Sequence, residues 1–159
     1  MAKVDFINPF VTSAAEVLRA EVGIEVKRGN LTLSSSATTS SDVSTLVNLV
    51  GDVEGLVLYS MPVEMCLSIV SRMVGQEFQE FDELAQSGIA ELGNVISGQA
   101  ATKLSNAGYV ANISVPTLIT GRGVTISTVN FQRLVVPLQT DVGSMEIHLA
   151  LREKANGRQ

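Results

Sequence analysis

Tryptophan is absent, and aromatic residues make up only 4% of the 159-residue chain. That scarcity argues against a base-stacking platform for single-stranded nucleic acid. It also means that the interior must rest on Val, Leu, Ile, Ala and Met. A single cysteine, Cys66, excludes an internal disulfide; set in an apolar run, it reads as a small buried hydrophobe. A single histidine, His148, gives no basis for a catalytic triad or a His-rich metal site. It alternates with Ile147 and Leu149, which predicts a strand with the imidazole on an exposed or edge face. No basic stripe offsets the net charge of −5, so nucleic-acid binding is not expected and protein partners are. No apolar run approaches the length of a membrane span, and Met-Ala-Lys-Val-Asp at the start lacks the layout of a signal peptide. A cytoplasmic location is the expectation. Gly121-Arg122-Gly123 lacks the fingerprint and the following helix of a phosphate loop. The Asp and Glu residues do not fall at metal-ligand spacings.

What is present is an apolar fraction of 45%, enough for one domain with a sizeable core. Asn8-Pro9 fits a helix start, with Asn8 as cap, and Gly23 fits its end. Alternation from Ile24 to Leu33 around Gly29-Asn30 predicts a strand or hairpin. The Ser/Thr/Ala tract 34–41 reads as a surface loop or a Thr-rich edge strand. Leu46–Val50 and Leu56–Tyr59 predict an antiparallel pair. Pro62 opens a second helix striped by Met65, Ile69, Met73 and Val74 and closed by Gly75. Asp82 begins the longest helix, which runs to about Asn106-Ala107-Gly108. Strands follow over Tyr109–Val115, interrupted by Pro116, and over Ile119–Val129. Phe131–Thr140 and Ser144–Leu151 form a closing hairpin. Three helices and about six strands, the strands adjacent in sequence, predict an α+β fold with a largely antiparallel sheet.

On the long helix, at about 100° per residue, Ala85, Ile89, Leu92, Ile96 and Ala100 share the core side. Ser87, Glu91, Asn94, Gly98 and Ser105 fall within roughly a 60° arc on another side. Glu91 and Asn94, three apart, are surface neighbours. Gly98 lies one turn beyond Asn94, where a bare backbone lets another surface approach. A mid-helix glycine costs about 1 kcal/mol against Ala, so Gly93 and Gly98 both call for compensation. Close packing on the core side explains Gly93, and a docking partner is one explanation for Gly98. A Glu/Asn pair at this spacing is also common on solvated helix faces. Glu83/Gln86 has the same chemistry, but near the helix start it reads as favourable N-terminal charge.

Beyond that pattern, the chain resembles the CheX-like branch of the CheC/CheX/FliY group of chemotaxis phosphatases. The resemblance begins at Ile7-Asn8-Pro9-Phe10. It continues through Glu91-Leu92-Gly93-Asn94-Val95-Ile96-Ser97-Gly98-Gln99-Ala100, which is similar to the family's E-x-x-N helix. Ile113-Ser114-Val115-Pro116-Thr117, Gly121 and the hairpin from Gly143 through Met145 to Leu151 extend it. Residues 1–159 then form a single CheX-like domain. CheC-like members carry two such motifs; here Glu64 is followed by Leu67 and Glu16 by Arg19, which leaves one.

The resemblance implies a hydrolase acting on the aspartyl-phosphate of a CheY-type response regulator in chemotaxis or two-component signalling. Asn94 would orient the attacking water and Glu91 would pair with a receiver lysine. No cofactor or metal is expected on this chain, Mg²⁺ being carried by the receiver; the single motif favours the CheX-like branch, and resemblance to that branch implies a homodimer with two sites. The rival readings are a non-catalytic receiver-binding or signalling module of the same fold, and a purely structural dimer.

Overall fold

The computed structural model describes residues 4–35, 38–39, 41–126 and 132–155. Helix α1 spans Val4–Val17 and runs into a π-helical stretch, Leu18–Val22, that Gly23 closes in the left-handed region at φ 73°. Strands β1 (Lys27–Arg28), β2 (Thr32–Ser34), β3 (Val43–Gly51) and β4 (Val53–Met61) follow. Helices α2 (Val63–Val74) and α3 (Glu83–Asn106) come next, then β5 (Ala111–Ile113), β6 (Thr117–Thr120), β7 (Arg133–Thr140) and β8 (Gly143–Glu153). Among the described residues the strands form one antiparallel sheet in the order β1-β7-β8-β4-β3-β5. Strand β2 also lies on β7, and β6 also lies on β3. This is the α+β architecture that the sequence pattern predicts.

The three helices cover one sheet face. Phe6, Phe10, Leu18, Met65, Ile69, Ile89, Leu92 and Ile96 pack there against Val47, Val57, Tyr59, Val136 and Ile147. Period-2 alternation sends the intervening residues to the second face, where Leu56, Leu58, Ala150 and Ile126 form a smaller cluster. Helix α2 begins at Pro62, as expected, and its first turn receives help from a distance. The Val63 N–H donates to Asp42 Oδ2 at 3.1 Å, one of the backbone groups that a helix start leaves unpaired. That bond, with Arg122 Nε at 2.9 Å from Asp42 Oδ1, holds the Asp42 carboxyl below its usual range.

Four expectations need correction. Helix α1 starts before Asn8, so Pro9 is inside the helix and Asn8 is not its cap. The fully buried Phe6 and the nearly buried Ile7 outweigh the loss of one backbone hydrogen bond at Pro9. Of the strand or hairpin expected over Ile24–Leu33, the hairpin does not form: β1 and β2 are strands that both pair with β7 and not with each other. Between Arg28↔Leu138 and Thr32↔Val135 the first strand carries one extra residue, a β-bulge. Gly29 N–H donates to the Pro137 carbonyl at 2.8 Å, and a Cβ at Gly29 would lie 2.8 Å from the Pro137 ring. The bulge therefore falls where Pro137 has no N–H to offer.

Val74, placed on the buried stripe of α2 by its spacing, is exposed at the last turn. His148 is neither exposed nor on an edge. It sits in β8 between β4 and β7, is 3% exposed, and its Nε2 lies 3.0 Å from Glu146 Oε1 on the second face. Alternation alone gave the correct opposite face, but not that this face is also covered. Of the 34–41 tract, Thr39 is buried and its hydroxyl donates to the Gly121 carbonyl at 3.0 Å; residues 36, 37 and 40 lie outside the described residues. So does the end of the strand expected over Ile119–Val129, while β6 starts at Thr117 and stops at Thr120.

Burial is the main cause that holds the His148 pKa below its ordinary 6.5, with the Arg133 guanidinium adding to it against the raising effect of the Glu146 hydrogen bond. The neutral ring is thus the folded form. Stability is expected to be full above about pH 6.5 and to fall as the pH drops from there toward the folded pKa. In that window the unfolded chain binds a proton that the folded chain does not. Urea midpoints measured between about pH 5 and pH 8 check this, and His148→Leu is expected to flatten that part of the profile.

Candidate functional site

Helix α3 is built to hold one orientation. Asp82 caps it, its Oδ1 accepting from Ala85 N–H at 2.9 Å. Ala85, Ile89, Leu92, Ile96 and Ala100 are all buried, as the periodicity predicts, and Leu104 one turn on is buried as well. Gly93 faces the sheet so closely that a Cβ would lie 2.8 Å from Thr45 Cγ2. One turn later the buried hydroxyls of Ser97 and Tyr59 lie 2.7 Å apart. Burial pushes the Tyr59 pKa up, so the phenol stays protonated and bonds Ser97 as a neutral group. Lys103 Nζ lies 2.6 Å from Glu16 of α1, which also accounts for the carboxylate of the first helix. Gln86 Nε2 donates to the Phe81 carbonyl at 2.9 Å, consistent with a role at the helix start.

The opposite stripe faces outward. Glu91 is exposed and Asn94 half-buried, and among the described residues neither side chain has a hydrogen-bond or ion-pair partner. Gly98 meets nothing within 4 Å of a Cβ built on it. Its carbonyl accepts a second bond from Thr102 Oγ1 at 3.1 Å. Glu91 and Asn94 lie in an open groove of about 460 Å³, lined on the helix by Ser87, Ala90, Glu91 and Asn94 and on the far side by Ile113–Pro116. A depression of about 540 Å³ at the end of α2 is larger. Its one cation, Arg72, faces Asp141 at 3.5 Å, and its exposed carboxamide and carboxylate, Gln76 and Glu77, are chain neighbours in the irregular segment after α2, not spaced along one face of a helix.

The other reactive side chains stand apart. His148 lies on the sheet face that α3 does not touch. Cys66 is fully buried, with its thiol pushed up to about 12 mainly by that burial. Among the described residues no group of His, Cys, Asp and Glu could hold a metal ion. Sequence reasoning missed the far wall of the groove. Residues 113–116 read as an interrupted strand, and only the three-dimensional packing sets them beside α3.

With the geometry in view, comparison with known proteins is decisive for the family. A family profile described as "Chemotaxis phosphatase CheX" matches residues 43–139, more than half of the chain. The chain belongs to the CheX family. A curated relative from Thermotoga maritima, "CheY-P phosphatase CheX", is 33% identical over 150 residues, covering 92% of this chain and 95% of the relative. A CheC-like superfamily protein from Shewanella sp. PV-4 superposes with a TM-score of 0.85 at 29% identity, over 95% of this chain and 99% of that one. The CheX of a CheX–CheY–BeF3–Mg²⁺ complex from Borrelia burgdorferi matches with a TM-score of 0.80 at 32% identity, over 95% and 100% of the two chains. The matched profile includes the whole of α3 and both walls of the groove.

Two glycines of this CheX-family helix are expected to respond oppositely to substitution. Gly98→Ala should raise stability by up to about 1 kcal/mol, since helix propensity improves and the Cβ enters open space. Gly93→Val should lower it by on the order of 2 kcal/mol through overpacking against the stiff, buried Thr45. Denaturant midpoints of the two variants check both signs.

Proposed function

We propose that this chain hydrolyses the aspartyl-phosphate of a CheY-type response regulator, with Asn94 orienting the attacking water and Glu91 pairing with a receiver lysine. The observation that carries the reading is the outward carboxylate–carboxamide pair: two side chains on a firmly anchored helix, in an open groove, with no partners of their own among the described residues. Membership of a family of chemotaxis phosphatases, and the relatives named above, support the substrate class.

The chemistry asks little of the phosphatase beyond placement. A water oxygen bonds to phosphorus as the bond from phosphorus to the Asp carboxylate oxygen breaks, leaving inorganic phosphate and a free carboxylate. Such transfers depend mainly on positioning and electrostatic stabilisation. A carboxamide is no base at neutral pH, so Asn94 acts by holding the water in line through its hydrogen bonds. Glu91 fixes the register by a charge pair that loses water on docking. Mg²⁺ belongs to the receiver in this reading, in keeping with the composition of the Borrelia complex. The reading also carries a cytoplasmic location and a homodimer that presents two such faces, as the resemblance to the CheX-like branch implies.

Phosphate release from a phosphorylated receiver tests the roles. Asn94→Ala is expected to lower kcat by at least about a hundredfold, with receiver affinity and thermal stability retained. Glu91→Ala is expected to raise KM and lower the rate together. Parental kinetics in both variants would refute the assignment.

A further inference from the structure

We infer that the β5–β6 connection, with Val115 at its tip, is a second contact arm of this docking face and sets affinity for the phosphorylated receiver. The inference rests on the proposed function above and goes beyond the two helix residues. Val115 is 85% exposed, more than any other large apolar side chain among the described residues. A single exposed valine is ordinary. This one lines the same groove as Glu91 and Asn94, which gives it an occupant: a receiver that engages that pair meets Val115 on the facing wall.

Its backbone is also held. Ser114 N–H donates to the Asn48 carbonyl at 2.9 Å, and Asn48 N–H donates to Ser114 Oγ at 2.9 Å. The Ser114 hydroxyl in turn donates to the Val115 carbonyl at 3.1 Å. Pro116 restricts Val115 to extended backbone. The apolar tip is therefore presented on a braced segment, which reduces the ordering cost of binding. Across the face, Leu84 is 55% exposed two helical turns before Glu91 on the same stripe.

A polar pair flanked by two exposed apolar side chains matches the way interfaces work. The apolar contacts exclude water, and the polar contacts within them strengthen. A valine side chain offers no group that could orient water or move a proton, so its effect falls on binding and not on the chemical step. The matching receiver surface is a lysine beside the phosphorylated aspartate with apolar surface next to it.

The test uses the full chain and CheY-type receivers from the same genome. Phosphate release gives kcat and KM, and calorimetry with the beryllofluoride-activated receiver gives Kd. Val115→Asp is expected to raise KM and Kd by roughly tenfold or more, with kcat at saturation within about twofold of the parent and the melting temperature unchanged. Asn94→Ala should show the reverse split. Leu33→Asp, an exposed apolar site at the opposite edge of the sheet, should change neither.

Unchanged KM and Kd for Val115→Asp, in a parent that hydrolyses and an Asn94→Ala variant that does not, overturn the second arm and leave the catalytic reading standing. A parent that binds the receiver without hydrolysing it overturns the catalytic reading, while weaker binding by Val115→Asp still supports the arm. A parent that neither binds nor hydrolyses overturns both.

Discussion

At Gly93 the backbone of α3 comes so near the sheet that any side chain would strike the Thr45 methyl, and one turn on the Ser97 hydroxyl meets that of Tyr59. These two contacts are four residues apart and so lie on one stripe of the helix. Together they fix both the height of α3 above the sheet and its rotation about its own axis. Everything on the far side of the helix inherits its direction from them. The buried hydroxyl pair matters doubly, because either oxygen would be costly to leave unpaired in that dry layer. A helix held only by Leu and Ile could slide or roll; one held by a glycine slot and a matched hydroxyl pair cannot do so cheaply.

The sheet then separates two chemical environments. The helix-covered face is almost wholly apolar. The second face mixes Leu56, Leu58 and Ala150 with His148, Arg133 and the Ser44–Ser60 hydroxyl pair at 2.8 Å. Arg133 reaches the Thr38 carbonyl at 3.2 Å from this face, and burial lowers its pKa. The most perturbed basic side chains therefore lie across the sheet from the candidate site. Perturbed titration marks a functional site only when the group can be reached. Here it reports structural burial, and the candidate site is built from groups whose value lies in position.

That economy suits the proposed reaction. A phosphatase that supplies one amide and one carboxylate to a partner's active site needs no pocket of its own, and the groove is accordingly open and shallow. Its two walls differ in kind. The helix wall carries the polar pair at fixed spacing, and the β5–β6 wall carries an apolar tip braced by Ser114 and Asn48. Rigidity on both sides keeps the ordering cost of docking low, so that contacts made with a partner appear as affinity.

Much of this was legible in the residues themselves. The α3 stripe, the start of α3 at Asp82, the Gly23 and Gly75 ends, the β3–β4 pair and the closing hairpin all follow from local periodicity and backbone preferences, which act within a few residues and need no knowledge of the rest of the chain. The outward stripe of Glu91, Asn94 and Gly98 was legible for the same reason. Three features were decided by tertiary contacts alone. The burial of Phe6 extended α1 past Asn8. The first two strands joined β7 and not each other, because Pro137 and Gly29 accommodate a bulge there. Residues 113–116 came to rest beside α3 because β5 and β6 pair with β3, which carries the segment between them to the helix. Each depends on partners far away in sequence, and hydrophobic burial and strand pairing between distant segments leave no local pattern to read.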